Sequence, residues 1–344
     1  MAGAAVVDDG PRRTYAGAGA AAPLLQVRRL TTEFRTERGP LRAVDGVSFE
    51  VDAGETLAIV GESGSGKSVT ALSIMRLIAS PPGRISGGEL LFEGQDLLKL
   101  SEAEMRGVRG NRIAMIFQEP MSSLNPSLKV GLQIAEPINL HRRTPWRRAI
   151  DQAKVLLGRV RIPDAENRVE AYPHQFSGGM RQRIMIAMGL ACEPRLIIAD
   201  EPTTALDVTV QAQILSLLKD LTRDARAALI LITHDLGVVA RYADRVCVMY
   251  AGKVAEIGRA RDVYERPRHP YTRGLLASVP RLDQPAGRRL VPIAGQPPNL
   301  AELPPGCPFH PRCPLAMPRC VAEMPPLEAV EPDHLKACWA HDSD

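Results

Sequence analysis

The sequence predicts an α/β protein in which short buried strands alternate with helices, and three adjoining segments indicate this first. Leu57–Val60 is an apolar run that is long enough for a buried strand but too short for a helix. Gly61–Ser68 follows it and fits the pattern G-x-x-x-x-G-K-[ST] without a mismatch. Val69–Leu77 then carries apolar residues at helical spacing. The order is therefore strand, glycine loop, helix.

A glycine loop in this position is suited to binding phosphate. Glycine lets backbone N–H groups turn inward where a Cβ would collide, and the following helix adds the positive end of its dipole. In such a loop the lysine reaches the β- and γ-phosphates and the hydroxyl holds Mg²⁺. The predicted phosphate-binding residues are Gly61, Ser63, Gly64, Gly66, Lys67 and Ser68.

Composition limits the class of protein. With 344 residues the chain is long enough for two domains, and 45% hydrophobic residues supply a core, although aromatics are only 4%. The net charge of +4 gives no support for a nucleic-acid groove. Neither a spanning apolar run nor a secretory signal stands out, so we expect a cytoplasmic protein with reduced or metal-bound cysteines.

The N-terminal third opens with a tail and two strands. Residues 1–24 are rich in Ala and Gly and predict a disordered tail. Alternating apolar and polar residues predict strands over Leu25–Leu30 and Ala43–Val51. Phe34 lies between them and either stacks on a purine or faces the core, and its position alone favours the core.

Three later apolar runs end in polar side chains, which is where α/β sheets place ligands. An Asp in this position anchors Mg²⁺, and a Glu one residue further can polarise water. A histidine beside the acid pair is a candidate for contact with the γ-phosphate, whereas the glutamine either touches metal or water or caps its strand. The polar residues are Gln118, Asp200 with Glu201, and His234.

Between these runs the chain is mainly helical. Helical signals dominate 119–172, and Thr144-Pro145 predicts a helix with Thr144 as its N-cap. Ser177-Gly178-Gly179 forms a second glycine turn ahead of a helix predicted over Arg183–Leu190, and it is a second possible anion site. Asp207 lies in a turn, where it either caps a helix or bridges subunits.

Together these elements resemble the ATP-binding cassette of ABC transporters over residues 25–258. Gly61–Ser68 is similar to Walker A, and Asp200 with Glu201 to the end of Walker B and the catalytic base. The remaining matches are Gln118 for the Q-loop, Phe176–Met180 for the LSGGQ signature, Asp207 for the D-loop, His234 for the H-loop and Phe34 for the adenine-stacking aromatic. This last match overturns the core assignment that position alone favoured for Phe34.

The resemblance implies a phosphate-loop NTPase cassette with a RecA-like core, an antiparallel β subdomain and a helical subdomain at about 119–182. It further implies that two cassettes dock head to tail, with ATP and Mg²⁺ bound between them. In that arrangement Ser177, Gly178, Gly179 and Asp207 serve the nucleotide of the partner cassette. Residues 259–344 form a Pro- and Cys-rich extension.

Two stretches narrow the resemblance to importers of oligopeptides, dipeptides and nickel. They are the Q-loop segment 118–126 and the "HPYT" start at His269–Thr272. The implied partners are two membrane permeases, a second, related ATP-binding subunit and an extracytoplasmic substrate-binding protein, but no nucleic acid. The implied place is the cytoplasmic face of the membrane. Nickel or another small solute is the alternative cargo, and a non-transport ABC ATPase is the alternative class.

The extension holds four of the six cysteines and too little apolar sequence for a core of its own. Cys192 and Cys247 lie in apolar cassette segments and predict small buried side chains. The other four predict a cross-link that holds the extension together. Disulfides are unlikely in a reduced compartment, and the spacing of these cysteines lacks the short C-x₂₋₄-C pairs that zinc sites favour. The resemblance implies a [4Fe–4S] cluster, with zinc or no metal as alternatives. Its ligands would be Cys307, Cys313, Cys320 and Cys338.

Overall fold

The computed structural model describes residues 22–119, 123–204, 206–278 and 292–340. This part of the chain forms two compact units, each assembled from segments that are distant in sequence. The first unit contains 22–50, 60–96 and the described residues from 245 onward. The second unit contains 51–59 and the described residues of 97–244. Most of the predicted N-terminal tail lies outside the described residues.

The described strands and helices follow in chain order. The strands are β1 (Leu25–Thr36), β2 (Gly39–Val51), β3 (Thr56–Val60), β4 (Gly83–Phe92), β5 (Gln95–Asp96), β6 (Ile113–Ile116), β7 (Leu196–Asp200), β8 (Ala228–Ile232), β9 (Arg245–Tyr250), β10 (Lys253–Arg259), β11 (Glu328–Glu331) and β12 (His334–Lys336). The helices are α1 (Lys67–Ile74), α2 (Glu102–Val108), α3 (Val130–Arg142), α4 (Trp146–Arg159), α5 (Ala165–Arg168), α6 (Gly178–Leu190), α7 (Val208–Asp224), α8 (Leu236–Tyr242), α9 (Ala260–Glu265), α10 (Pro270–Ala277) and α11 (Pro318–Ala322).

A parallel sheet runs through the second unit in the order β3-β8-β7-β6. Leu57 pairs with Ile230, Ile198 pairs with the same residue from the other side, and Ile113 pairs with Leu196. Every residue of β3, β7 and β8 is buried, as expected for strands covered on both faces. The apolar runs that predicted these strands are therefore confirmed.

The first unit contains two antiparallel arrangements, β2-β1-β4-β5 and β11-β12-β10-β9. β1 and β2 are longer than predicted and extend through the polar stretch toward Gly39. A sheet face that meets water needs no apolar residues, so apolar alternation marked only part of each strand. β12 pairs with β10 through Glu256 and Lys336, which ties the C-terminal extension into the unit.

Helices α3 to α7 of the second unit share one apolar cluster, whose members include Ile134, Leu157, Ile184 and Leu218. The prediction of a helical region after residue 119 is confirmed for α3, α4 and α5.

The predicted Thr144 cap is wrong, because Pro145 is extended and occupies the N-cap position itself. No helix within the described ranges combines the length and the apolar character that crossing a bilayer requires.

Candidate nucleotide site

The phosphate loop connects the end of β3 to α1. Gly61 has a φ of 152°, and a Cβ there would lie 2.2 Å from the carbonyl oxygen of Met249. Gly66 has a φ of 99°, and its Cβ would lie 2.5 Å from the carbonyl oxygen of Ala43. Both positions therefore require glycine for its conformation and for its size. The predicted glycine loop is present.

Lys67 is buried at the centre of this loop. Its Nζ donates to the carbonyl oxygens of Gly61 at 2.8 Å and Glu62 at 3.0 Å. The Ser65 hydroxyl is buried and has no hydrogen-bond partner among the described residues. An ammonium and an unused hydroxyl on one glycine loop fit the oxygens of a phosphate. Ser68 follows Lys67 directly, so both residues belong to the first turn of α1.

A cluster of polar side chains forms in the second unit where parallel strands end. Gln118 donates from Nε2 to Glu201 Oε2 at 3.1 Å, and His234 Nδ1 lies 3.4 Å from Glu201 Oε1. Asp200 is buried as the last residue of β7. The structure thus brings together Gln118, Glu201 and His234, which the sequence predicted separately.

Sequence reasoning missed one member of this cluster. The Thr204 hydroxyl donates to Glu201 Oε2 at 2.8 Å. Glu201 itself has a φ of 45°, in the left-handed region that non-glycine residues rarely adopt. The chain therefore turns sharply at Glu201, and that turn returns Thr204 to the carboxylate. The sequence signal for this contact was the position of Thr204, three residues after Glu201.

The arrangement around Glu201 fixes an acceptor in place. Amide and hydroxyl donors hold one carboxylate oxygen, and an imidazole nitrogen lies next to the other. A carboxylate held in this way can accept a proton from water, provided the water lies within hydrogen-bond reach. The cluster is therefore a candidate catalytic base with its own supporting groups.

The second glycine turn is the start of α6. This helix begins at Gly178 and not at the predicted Arg183, because Ser177 caps it by accepting from the Met180 N–H at 3.4 Å. Asp207 caps α7 by accepting from the Thr209 and Val210 N–H groups at 3.1 and 3.0 Å. The sequence left Asp207 as either a helix cap or a bridge between subunits, and the helix cap is present.

Phe34 lies half-buried on β1, paired across the sheet with Gly83. A Cβ on Gly83 would lie 2.8 Å from a ring carbon of Phe34, so the ring packs directly against this glycine. Stacking of Phe34 on adenine stays a prediction.

All six cysteines carry free thiols. Cys192 and Cys247 are buried in the core, as predicted, and burial raises the pKa of Cys247 to about 12. In the extension, burial raises the pKa of Cys307 to about 11, with smaller contributions from the other three thiols, Cys338, Cys320 and Cys313.

The structure does not support the predicted metal centre on these four cysteines. Within the described ranges, no group of three or more His, Cys, Asp or Glu side chains is arranged to hold a metal ion.

The fold, the phosphate loop and the polar cluster around Glu201 define the class of protein as an ATP-binding cassette. Residues 44–204 match the family model described as "ABC transporter", and 255–320 match "Oligopeptide/dipeptide transporter, C-terminal region". A solved structure of the cassette MJ0796, a dimer in a post-hydrolysis state bound to ADP and Pi, is 26% identical with a TM-score of 0.62. It covers 69% of this chain, and the match spans 99% of that structure.

Curated relatives narrow the class. The dipeptide transport ATP-binding protein DppD of Bacillus subtilis is 54% identical over 93% of this chain and 95% of its own length. The oligopeptide transport ATP-binding protein OppD of Salmonella typhimurium is 54% identical over 92% of this chain and 93% of its own length. The chain belongs to the oligopeptide/dipeptide family of ABC transporter ATP-binding proteins. Its enzyme class is that of the ABC-type ATPases.

Proposed function

We propose that this chain hydrolyses ATP to power the import of peptides through an ABC transporter. The observation that carries the proposal is the Glu201 cluster, in which Gln118, Thr204 and His234 surround one carboxylate. The phosphate loop with its buried lysine supports triphosphate binding by the same chain. The names of the dipeptide and oligopeptide relatives support peptides as the cargo.

The proposed roles follow from the chemistry of each side chain. Backbone N–H groups of the loop and Lys67 bind the β- and γ-phosphates, while Ser68, Gln118 and Asp200 serve Mg²⁺. Glu201 orients and polarises the attacking water, and His234 contacts the γ-phosphate. Phe34 stacks on the adenine. Catalysis is then mostly electrostatic positioning of charges that develop in the transition state.

A second cassette completes the proposed assembly. Ser177, Gly178 and Gly179 lie at the N-terminus of α6, where the positive end of the helix dipole suits an anion. A chain that binds ATP on one glycine loop has a use for a second one if it serves the nucleotide of a partner. We propose a related but non-identical ATP-binding subunit as that partner, with Asp207 at the same junction.

An apolar groove in the second unit fits the proposed permeases. The groove has a volume of about 460 Å³, and its lining includes Met115, Phe117, Pro137 and Met188. Phe117 is 40% exposed, and methionines adapt their shape to a partner. We propose that a cytoplasmic permease helix docks here and holds the chain on the cytoplasmic face of the membrane. Residues 120–122 of the Q-loop segment 118–126, where we expect the permease helices to press, lie outside the described residues.

Uptake by intact cells tests the proposal. Cells lacking this gene are complemented with the wild-type chain or with Glu201→Gln, and uptake of labelled dipeptides, oligopeptides and nickel is measured. We expect the wild type to restore peptide uptake and Glu201→Gln to fail. If the wild type restored nickel uptake and not peptide uptake, the cargo would be nickel and not peptides. Pull-down with ribosomes or DNA, and not with membrane proteins, would favour the non-transport alternative, which the peptide-transport relatives do not favour.

The four-cysteine centre is a separate proposal. We propose that Cys307, Cys313, Cys320 and Cys338 bind a [4Fe–4S] cluster, with zinc as the alternative, and that the metal draws the thiols into ligand geometry. Mutual effects of the four thiols on the pKa of Cys307 support their proximity. Anaerobically purified protein would contain about four irons per chain and absorb broadly in the visible range. Absence of both iron and zinc would contradict the proposal.

A further inference from the structure

Glu62, the second residue of the phosphate loop, forms an ion pair with Arg312 of the C-terminal extension. Arg312 Nη1 lies 2.6 Å from Glu62 Oε2, and Nη2 lies 3.0 Å from Oε1. The arginine side chain is only 5% exposed and the glutamate 24%. The two residues are 250 positions apart in sequence, and both lie in the first unit. The contact is therefore a two-pronged, largely buried pair on the loop itself.

The rest of the extension holds the guanidinium in place. Arg312 donates from Nε to the carbonyl oxygen of Ala294 at 3.0 Å and from Nη2 to that of Gly295 at 3.3 Å. The guanidinium also lies over the rings of Tyr250 and Phe309. The hydrogen bond with Glu62 is the main cause of a raised pKa of Arg312, so the residue is always charged. Its position is fixed from several sides.

A second residue of the extension holds the backbone of Glu62. The N–H of Glu62 donates to the Tyr271 hydroxyl at 2.8 Å. Tyr271 is fully buried, and its ring packs against Tyr250 at 4.5 Å and Phe309 at 5.4 Å between centroids. The side chain and the backbone of one loop residue are thus both held by residues from beyond position 258.

The charge of Glu62 gives this contact a consequence for binding. A carboxylate on a loop that receives a polyanion repels it, and this repulsion is strong where water is scarce. Arg312 offsets that charge through the ion pair. Without the arginine, the triphosphate would meet an uncompensated negative charge next to Gly61, Ser63 and Gly64.

We propose that Arg312 and Tyr271 are positioning residues for the phosphate loop, through which the C-terminal extension sets the affinity of this subunit for ATP. The proposal rests on the proposed function, because it assumes that the loop binds ATP. It gives the extension a direct part in nucleotide binding that does not depend on whether its cysteines bind metal.

The test measures the Kd of the full-length chain for Mg²⁺ with AMP-PNP. We expect Arg312→Gln to weaken binding about tenfold, the scale of a lost hydrogen bond to a charged group. The double variant Arg312→Gln/Glu62→Gln should recover to within about threefold of wild type, because it removes the unpaired charge. Raising the salt concentration should narrow the gap between Arg312→Gln and wild type, because salt screens the carboxylate. A purely structural role would produce neither effect.

Further variants make each outcome decisive. Arg261→Gln, which removes an exposed ion pair with Glu265 on α9, is the matched control and should bind like wild type. If Arg312→Gln does not fold, Arg312→Lys and Tyr271→Phe carry the test, and each should weaken binding of Mg²⁺ with AMP-PNP. Wild-type affinity in Arg312→Gln, or in both replacement variants, would overturn the proposal. Failure of the wild type itself to bind nucleotide would instead refute the proposed function.

Discussion

The Gln118 side chain donates a hydrogen bond of 3.1 Å to the carboxylate of Glu201, although the two residues follow different strands and lie 83 positions apart. This contact joins the ends of β6 and β7, which run parallel side by side. It links a residue proposed to serve Mg²⁺ to the residue proposed to activate water.

Gln118→Ala should lower the rate of ATP hydrolysis about tenfold, because a mispositioned base loses part of its 10²- to 10⁴-fold contribution. The Kd for ATP in the absence of Mg²⁺ should change by less than about threefold, since the loop and Lys67 are untouched. Steady-state phosphate release and nucleotide titration measure the two quantities. Gln152→Ala, exposed on α4, is the control. Equal hydrolysis rates in Gln118→Ala and wild type would contradict the contact's role.

Gly61→Ala should destabilise the fold and abolish ATP binding. The added methyl would lie 2.2 Å from the Met249 carbonyl oxygen, and backbone atoms cannot move aside cheaply. We expect a loss of about 3 kcal/mol in the free energy of unfolding, the scale of overpacking with backbone strain. Denaturant unfolding measures it.

Gly107→Ala is the matched control for that loss. Gly107 lies in α2 with no atom within 4 Å of its added Cβ and no positive φ. Alanine should therefore be neutral or stabilise the protein slightly. Similar effects of the two substitutions would show that the close packing of Gly61 is unimportant.

The buried side chain of His269 should make the free energy of unfolding fall in acid. Burial lowers its pKa to about 4, and its neutral Nδ1 caps α10 by accepting from the Tyr271 N–H at 3.0 Å. Because the folded pKa lies below the unfolded value of 6.5, the unfolded chain takes up the proton first as pH falls. This contribution is therefore complete above pH 6.5 and is lost progressively toward pH 4.

Between pH 7 and pH 5 the wild type should lose about 2 kcal/mol from this residue alone. His269→Asn keeps a capping side chain without a titrating group, so its unfolding free energy should fall by less over the same range. Unfolding by urea at the two pH values measures the difference. Parallel pH profiles for the two proteins would contradict the assignment.

The sequence predicted the parts of the site that sit at the ends of apolar runs. Asp200 ends the buried strand β7 and Glu201 follows it, while Gln118 and His234 each lie two residues beyond the ends of β6 and β8. Apolar runs therefore marked the strands, and polar residues marked the edge of the sheet. Residues that depend on tertiary contacts left no such mark. Thr204 reaches Glu201 because the backbone turns at a positive φ, and Arg312 reaches Glu62 across 250 positions.

Helix boundaries were predicted less well, for local reasons. α6 begins five residues before the predicted Arg183, because a capping serine allows two glycines in the first turn. Pro145 remains extended, which moved the start of α4 past the predicted cap. The metal centre on the four cysteines stays a prediction, since a set of thiols close together in sequence does not by itself fix ligand geometry.

Single-turnover ATP hydrolysis by Glu201→Gln, measured together with its affinity for ATP, tests whether Glu201 is the catalytic base. We expect hydrolysis to fall by at least about 10²-fold, because the base is lost, while the Kd for ATP stays within about threefold of wild type. Glu170→Gln, which removes an exposed partner of Lys129, should hydrolyse ATP normally. Hydrolysis by Glu201→Gln at the wild-type rate would contradict the account.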